Sequence, residues 1–347
     1  MSGVTNELIK KAEKISKNFP NSERDVLLST GEQMASALIA GKLCDLGFNS
    51  RSWMSWQIPI ITRGNYSAAR IIKIGTDQLN RYLKKGGTPI ITGFQGLNKE
   101  SRLTTLERGG SDASAIMLAK FFKAKRCIIY TDVDGVYTTD PNLTKKAKKI
   151  KVLSYEEMLE MSSLGAKVMQ PASIQDAKLN KVKIDVKSSF TNKTGTQIIG
   201  RKKIKDTNII RGVSFTKNNA KVSLLGVKDK PGVAAAIFEP LYKNSINVDM
   251  VVQNISSDGK ETDLTFTIKS DDLLVTKRLI SKNRKIKFKK LIVDKNVAKV
   301  SIVGVGMITT PGVTYRMFKA LALSLIHISE PTRLLSISYA VYSLKKK

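Results

Sequence analysis

The feature that most constrains the fold of this chain is an internal repeat in its second half. The run Val-Ser-Leu-Leu-Gly-Val at 222–227 returns as Val-Ser-Ile-Val-Gly-Val at 300–305, and Pro-Gly-Val at 231–233 returns at 311–313. Each copy has the pattern of a strand, a turn and a helix. Two strand-like runs follow the first copy, at 246–255 and 261–268. The repeat therefore predicts small βαββαβ modules of the ferredoxin-like α+β class.

The first half has a different pattern, in which strands and helices alternate. Residues 88–93 and 127–130 are short apolar runs typical of buried strands, and a helical pattern at 111–124 lies between them. This order predicts an α/β domain with an open, mostly parallel sheet flanked by helices. In such sheets the functional loops follow the carboxyl ends of the strands.

Three helices have clear local signals. Thr5 is the predicted N-cap of the first helix, and a longer second helix follows it. Gly31 inside the second helix costs about 1 kcal/mol relative to alanine, which indicates the close approach of another segment. Ser154 and Glu157 form a predicted capping box for a later helix, Tyr155 to Ser163. The apolar stripe of the second helix comprises Val26, Met34, Leu38, Ile39 and Leu43.

Composition excludes several classes of protein. The formal net charge is +30, but the lysines are scattered and lack the aromatic platforms that stack single-stranded bases. We interpret them as a solvated basic surface that favours anionic ligands. Two distant cysteines and one histidine are too few for a disulfide framework or a zinc site. No apolar run approaches the roughly 20 residues that span a bilayer. We expect a soluble, cytoplasmic protein that binds neither nucleic acid nor membranes.

Two loops after predicted strands have the composition of ligand sites. In Arg108-Gly109-Gly110-Ser111-Asp112, glycines allow close approach of a ligand, helix amides can bind an anion, and Arg108 can bind a carboxylate or phosphate. An ordinary capped loop has the same pattern. The Asp-rich run 131–141 could hold the ribose, base and metal of a nucleotide, or could be two simple turns. Neither a P-loop nor a dinucleotide fingerprint is present.

The run Tyr130 to Pro141 resembles the nucleotide-binding signature of the amino acid kinase superfamily. Further motifs resemble the aspartate kinases in the same order: Thr5-Asn6-Glu7-Leu8, Gly31-Glu32, Gly93-Phe94-Gln95-Gly96, Arg108 to Asp112 and Ser154-Tyr155-Glu156-Glu157-Met158-Leu159-Glu160. The tandem repeat resembles their two ACT modules. Because these matches cover roughly residues 1–322, the chain is identified as a member of that family.

The resemblance implies a domain order and an activity. An amino acid kinase domain at 1–200 would be followed by a linker at 201–208, a first ACT module at 209–299 and the start of a second at 300–322. The implied reaction is the ATP- and Mg²⁺-dependent phosphorylation of the L-aspartate side-chain carboxylate to 4-phospho-L-aspartate, the first step of lysine, threonine and methionine biosynthesis. No metal site made of protein ligands is implied.

Roles of individual residues follow only from the resemblance. Arg108 and Lys167 are implied to be catalytic. The implied aspartate-binding residues are Thr5, Glu32, Arg108, Gly109, Gly110 and Ser111. The implied ATP-binding residues are Thr131, Asp132, Tyr137, Thr138, Asp140, Pro141, Asn142 and Lys167. The substrate carboxylate is the nucleophile, so in-line positioning and charge neutralisation would carry catalysis without a covalent intermediate.

The ACT modules imply regulation by lysine, threonine or both. The implied effector-binding residues are Asp229, Pro231, Gly232, Val233, Ala234, Asn247, Val248 and Asp249. Asp229 is expected to receive an effector ammonium group, while helix amides receive its carboxylate. ACT modules rarely act singly, so a homo-oligomer formed through ACT pairing is expected.

The sequence departs from the family pattern in two places. Family members open with a strand and a Lys-x-Gly-Gly loop for the ATP phosphates, and without these elements we expect negligible kinase activity. From Leu323 the chain no longer follows the ACT pattern and resembles a translated sequencing adapter followed by an A-rich read-through. Residues 323–347, with His327, are therefore expected to be foreign to the natural protein.

Three other functions stay open at this point. One is another amino acid kinase, such as glutamate 5-kinase. The second is a catalytically dead, amino-acid-binding subunit that regulates a complete kinase. The third is nucleic-acid binding by the basic surface.

Overall fold

The computed structural model describes residues 3–107, 109–166, 168–201, 204, 208–228, 230–255, 261–283, 286–304, 310–323, 328–332 and 339–345. The chain divides into two compact units. The first comprises residues 1–137, 149–163 and 167–205, and the second comprises residues 138–148, 164–166 and 206–347.

The first unit opens with two packed helices, α1 (Val4–Ile15) and α2 (Asn21–Asp45). A Cβ on Gly31 would lie 3.1 Å from Val4 Cγ1, so glycine permits the close approach of α1 that the sequence predicted. The predicted cap at Thr5 is wrong, because Thr5 lies inside α1 and Gly3 occupies the N-cap position with φ 89. Glycine adopts this left-handed conformation at little cost and lets the helix begin earlier.

The remaining elements of the first unit alternate as predicted. The strands are β1 (Ser50–Trp53), β2 (Ile60–Arg63), β3 (Arg70–Ile74), β4 (Thr88–Ile91), β5 (Gln95–Leu97), β6 (Leu103–Thr105), β7 (Cys127–Thr131), β8 (Val152–Ser154), β9 (Ile184–Ser188) and β10 (Thr196–Ile199). The helices are α3 (Asp77–Lys84), α4 (Gly110–Phe121), α5 (Tyr155–Ser163) and α6 (Pro171–Asn180).

These strands form three sheets among the described residues. Strands β1 and β4 are a parallel pair, and β7-β9-β10-β8 contains two parallel pairs joined by the antiparallel pair β9 and β10. The third sheet has the order β3-β2-β5-β6. An apolar core that includes Ile58, Leu79 and Leu106 packs against Met117 of α4. The predicted α/β class with parallel strands and flanking helices is confirmed.

Helix α5 begins as its sequence predicted. The Glu157 N–H donates to Ser154 Oγ at 3.1 Å, and the Ser154 N–H donates to Glu157 Oε2 at 2.8 Å. This reciprocal pair satisfies two amides that a helix start leaves without partners.

The buried side of helix α2 carries polar residues beside Leu28 and Ala40. Asp25, Ser29 and Ser36 are buried. Most of the apolar stripe is exposed instead: Val26 is 37%, Met34 48%, Leu38 57% and Ile39 48% exposed. A helix of a globular domain usually buries its apolar face, so the polar face of α2 needs partners of its own.

The second unit is an antiparallel sheet with helices. Its elements are β11 (Gly212–Lys228), α7 (Val233–Lys243), β12 (Val251–Ile255), β13 (Glu261–Lys269), α8 (Leu273–Lys282), β14 (Lys290–Val303), α9 (Val313–Leu323), β15 (Ile328–Thr332) and β16 (Tyr339–Lys345). The strand order is β12-β13-β11-β14-β16-β15. The order β11-α7-β12-β13-α8-β14 confirms the predicted βαββαβ module, whose core centres on Leu224, Leu241 and Phe266.

Both copies of the internal repeat adopt the predicted strand. Residues 222–227 lie in β11 and residues 300–303 lie in β14, which pairs with β11. Helices α7 and α9 follow the two Pro-Gly-Val sequences. Within the described ranges, no helix is long and apolar enough to cross a membrane.

Candidate active site

The glycine turn at residues 109–111 joins β6 to α4. Gly109 has φ 83, and a Cβ there would lie 2.4 Å from Gln170 Cγ, so both the backbone and the space require glycine. The Ser173 hydroxyl donates to the Gly109 carbonyl at 3.2 Å. The turn therefore rests against the start of α6. Arg108, the predicted carboxylate ligand and catalytic residue, lies outside the described residues.

A second loop packs directly on the glycine turn. A Cβ on Gly110 would lie 2.6 Å from Phe94 Cδ2. The Phe94 N–H donates to Ser114 Oγ at 2.9 Å, and this hydroxyl donates to the Gly110 carbonyl at 2.8 Å. Phe94 itself has φ 65, a conformation that is rare for a bulky residue and that clusters at functional sites. The structure thus brings together the loops at 93–96 and 109–111.

Asp112 ends the Arg108 to Asp112 motif, but the resemblance assigns no aspartate-binding role to it. It lies in the first turn of α4, and burial raises the pKa of its carboxyl to about 6. Perturbed carboxyls cluster at functional sites. The signal for it in the sequence is a carboxylate one residue after a predicted anion-binding turn. Ser111, beside it, is exposed.

Glu32 and Thr5 lie where α1 and α2 approach each other. A Cβ on Gly31 would meet Val4, so the neighbouring residues Glu32 and Thr5 belong to the same helix crossing. Glu32 is partly buried, and burial raises its pKa. Thr5 is exposed. A second carboxyl with a raised pKa is therefore available in this unit to face a cationic group.

The first part of the predicted nucleotide stretch follows β7. The Tyr137 hydroxyl donates to Asp134 Oδ1 at 2.6 Å, and Lys149 Nζ donates to Asp134 Oδ2 at 3.3 Å. The hydrogen bond from Tyr137, and then that from Lys149, lowers the pKa of Asp134. The same bond raises the pKa of Tyr137. Asp134 and Lys149, which the sequence did not single out, therefore fix the orientation of Tyr137.

Thr131 and Asp132 lie at the end of β7. The Ser189 N–H donates to the Thr131 carbonyl at 2.8 Å, while the Thr131 hydroxyl donates to Asp132 Oδ1 at 3.0 Å. Asp132 is exposed and Thr131 partly so. Both side chains thus remain accessible at the carboxyl end of a parallel strand. Lys167, the predicted phosphate ligand, lies outside the described residues.

The second part of the nucleotide stretch belongs to the second unit. The Asn142 N–H donates to Asp140 Oδ1 at 2.8 Å, and the Leu143 N–H donates to the Asp140 carbonyl at 3.0 Å, which gives a tight turn around Pro141. The Val213 N–H of β11 donates to the Thr138 carbonyl at 2.7 Å. The sheet of the second unit therefore bonds the first residue after Tyr137.

The predicted effector residues form two segments of the second unit. Pro231 and Gly232 are exposed before α7, and Val233 and Ala234 begin that helix. Asn247 is exposed, Val248 packs on the core, and Lys299 forms an ion pair with Asp249. Lys299 was not predicted to take part. Asp229, the predicted ammonium ligand, lies outside the described residues.

Comparison with known proteins decides the family. Residues 1–188 match the amino acid kinase family, and residues 222–283 and 300–343 match the ACT domain. An aspartokinase of Bacillus sp. (strain MGA3) is 39% identical over 329 residues, which are 94% of this chain and 80% of that protein. The chain belongs to the aspartate kinase family. Its members transfer a phosphoryl group to a carboxyl acceptor.

Solved structures agree with this family. E. coli aspartokinase III in complex with aspartate and ADP (R-state) has a TM-score of 0.79 at 25% identity, covering 98% of this chain and 76% of that chain. The same enzyme in complex with lysine and aspartate (T-state) has a TM-score of 0.77 at 25% identity, covering 98% and 77%. The amino acid kinase and ACT folds predicted from the sequence are thus confirmed.

Proposed function

We propose that this chain binds ATP and L-aspartate and forms 4-phospho-L-aspartate, in the first step of lysine, threonine and methionine biosynthesis. The observation that carries this proposal is the glycine turn, which packs between the Phe94 loop and α6 and is followed by a partly buried carboxyl at Asp112. Helix amides at the turn, together with Arg108, suit a substrate carboxylate, while Glu32 and Asp112 suit its ammonium group.

Catalysis would depend on position and charge. An oxygen of the aspartate side-chain carboxylate attacks the γ-phosphorus in line, the bond from that phosphorus to the β,γ-bridging oxygen breaks, and ADP leaves. Lys167 and the turn amides would neutralise the transferring group. In the described part of the chain no group of three His, Cys, Asp or Glu residues could hold a metal ion. Mg²⁺ usually binds through substrate phosphates, waters and one or two carboxylates, so we expect it to enter with ATP.

The residues implied for ATP support a site at the end of β7. Thr131 and Asp132 would face the ribose, and the oriented ring of Tyr137 would face the base. Thr138, Asp140, Pro141 and Asn142, which the resemblance also implies for ATP, belong to the second unit. A basic protein surface favours an anionic ligand of this kind. The cytoplasmic location remains a prediction from composition.

We further propose that lysine, threonine or both bind the ACT unit at the predicted effector residues, and that the chain forms a homo-oligomer through ACT pairing. The lysine complex of the E. coli relative supports an amino-acid effector. Effector inhibition would be a coupling free energy between two sites.

The test is a hydroxylamine trap, because an acyl phosphate forms a hydroxamate. ATP is supplied with aspartate, glutamate or no acceptor. The assay is run on this chain with each acceptor in turn, and the reaction without acceptor gives the background. Hydroxamate with aspartate alone supports the proposal, whereas hydroxamate with glutamate alone would identify another amino acid kinase.

Calorimetry separates catalysis from regulation. Binding of lysine or threonine by this chain without turnover would indicate a dead regulatory subunit. Size-exclusion chromatography with light scattering tests the oligomer.

A further inference from the structure

The polar face of α2 contains a fully buried carboxylate side chain, that of Asp25. Asp25 is 0% exposed, and its carboxyl accepts four hydrogen bonds from protein groups. Oδ2 accepts the N–H groups of Ser67 at 2.9 Å and Thr105 at 2.7 Å, and Oδ1 accepts their hydroxyls at 2.7 and 2.8 Å. One side chain thus binds two segments that lie 42 and 80 residues further along the chain.

A contribution to stability alone does not explain why a carboxyl is buried at this position. Burying a carboxyl costs several kcal/mol, and apolar residues of similar volume often stabilise a core as well or better. A carboxyl with four fixed donors instead sets distances and angles, because each bond weakens steeply when its geometry changes. The position of the two bound segments is therefore what this arrangement specifies.

Thr105 connects Asp25 to the glycine turn. It is the last residue of β6, and the Leu106 N–H that follows donates to the Phe94 carbonyl at 3.0 Å. The turn begins at Gly109. Ser67, the other partner, has φ 63, and the Ala69 N–H near it donates to the Thr105 carbonyl at 3.2 Å. Asp25 thus holds the strand that carries the turn.

The same face of α2 holds the Phe94 loop. Ser29, Gln33 and Ser36 follow Asp25 at helical spacing. Gln33 Nε2 donates to Gln95 Oε1 at 3.2 Å, and Gln95 Nε2 donates to the Ser29 carbonyl at 3.4 Å. The hydroxyls of Ser36 and Thr92 are 3.0 Å apart. These three contacts fix the residues on either side of Gly93 and Phe94.

We propose that Asp25 is a positioning residue of the aspartate site, which fixes the glycine turn relative to Glu32 on the same helix. The inference rests on the proposed role of the turn in binding aspartate. Asp25 does not touch the substrate. Small displacements of positioning groups lower affinity and rate strongly, so its loss affects aspartate more than the nucleotide.

Neighbouring threonines provide a matched pair of variants. Thr104 and Thr105 lie on β6 and are each 1% exposed. Of the two, Thr105 bonds Asp25, whereas the Thr104 hydroxyl lies 2.6 Å from that of Thr62 and 3.3 Å from the Gly96 carbonyl, at the end of the Phe94 loop. Thr105→Val and Thr104→Val therefore remove one buried hydroxyl each from the same strand. Asp25→Ala removes the whole anchor, and Asp25→Asn keeps an oxygen that can accept both N–H groups.

Aspartate and Mg·ADP binding are measured by calorimetry on the full chain. Asp25→Ala is expected to raise the Kd for aspartate about tenfold and Thr105→Val about threefold, with the Kd for ADP unchanged. Asp25→Asn should recover most of the affinity, and Thr104→Val should match the wild type. An unchanged aspartate Kd in folded Asp25→Ala and Thr105→Val, or an equal rise in Thr104→Val, would overturn the proposal.

Amide hydrogen exchange gives a readout that does not depend on substrate. Exchange at residues 106–114 should rise in Asp25→Ala and Thr105→Val but not in Thr104→Val. Unchanged exchange in the first two variants would also overturn the proposal. If the wild type binds no aspartate, the proposed function fails, while the exchange result still decides whether Asp25 holds the turn.

Discussion

The ammonium group of Lys299 on β14 is paired with the carboxylate of Asp249, and the two side chains are 7% and 49% exposed. This asymmetry predicts unequal costs. Asp249→Ala leaves a buried cation without this partner and is expected to lower the free energy of unfolding by about 2 kcal/mol. Lys299→Met leaves an exposed carboxylate in water and should cost less than about 1 kcal/mol. Urea denaturation of both variants measures the difference, and equal costs would contradict the asymmetry.

The Asp112 carboxyl is expected to lower the free energy of unfolding at neutral pH and to strengthen aspartate binding. Its carboxyl has an ordinary pKa of 3.8 in the unfolded chain and a pKa of about 6 in the folded protein. Between these values the folded state binds more protons, so stability falls as the pH rises through this window. Asp112→Asn should raise the free energy of unfolding at pH 7 by about 1 kcal/mol. It should also weaken aspartate binding, because the amide cannot attract an ammonium group.

The control for Asp112 is Asp77→Asn, which makes the same change in the first turn of α3 at an exposed position. It should leave aspartate affinity unaltered. Wild-type affinity for aspartate should decline as the pH is lowered through about 6. An affinity that stays constant from pH 8 to pH 5, scanned by calorimetry, would remove Asp112 from the site.

Alanine substitutions at Gly109 and Gly86 distinguish the cost of backbone strain from the cost of a steric clash. Both have positive φ, 83 and 75, but a Cβ at Gly86 meets nothing within 4 Å. Gly86→Ala should therefore cost about 1 kcal/mol, the penalty for alanine in this conformation. Gly109→Ala should cost at least twice as much and reduce aspartate affinity, because its Cβ would collide with Gln170. Thermal unfolding with and without aspartate measures both effects, and identical losses would argue against the packed turn.

Tyr137 is expected to depend on Asp134 for its orientation. Tyr137→Phe removes the 2.6 Å hydrogen bond and should weaken ADP binding about threefold through the freed ring. Tyr242→Phe makes the same change at a side chain that is 82% exposed and should have no effect. Calorimetric titration with ADP compares the two. If Tyr242→Phe raised the Kd for ADP as much as Tyr137→Phe, the effect would come from loss of a hydroxyl in general and not from the position of the Tyr137 ring.

Local signals in the sequence predicted local structure well. The capping box at Ser154 and Glu157 and the close approach at Gly31 depend on residues a few positions apart or on the absence of one Cβ. The order of strands and helices followed from periodicity in the same way. The cap at Thr5 failed because Gly3 could begin the helix earlier.

The environment of the site could not be predicted in this way. Helical spacing identified α2 but not its buried face, because the partners of Asp25 and Gln33 come from a turn and two strands that lie 42 to 80 residues away. The pairing of Lys299 with Asp249 also spans 50 residues. The motif around Asp112 was visible, but only burial in the folded chain distinguishes this carboxyl from the exposed ones.

Tyr137 and Thr138 are consecutive residues, yet they belong to different compact units, and the β11 amide of Val213 bonds the second of them. A chimera of two relatives joined between residues 201 and 208 would take β11 from one protein and the loop at 138–148 from the other. Residues 138–148 should therefore be exchanged together with the ACT sheet, so that the hydrogen bond between them comes from one parent protein.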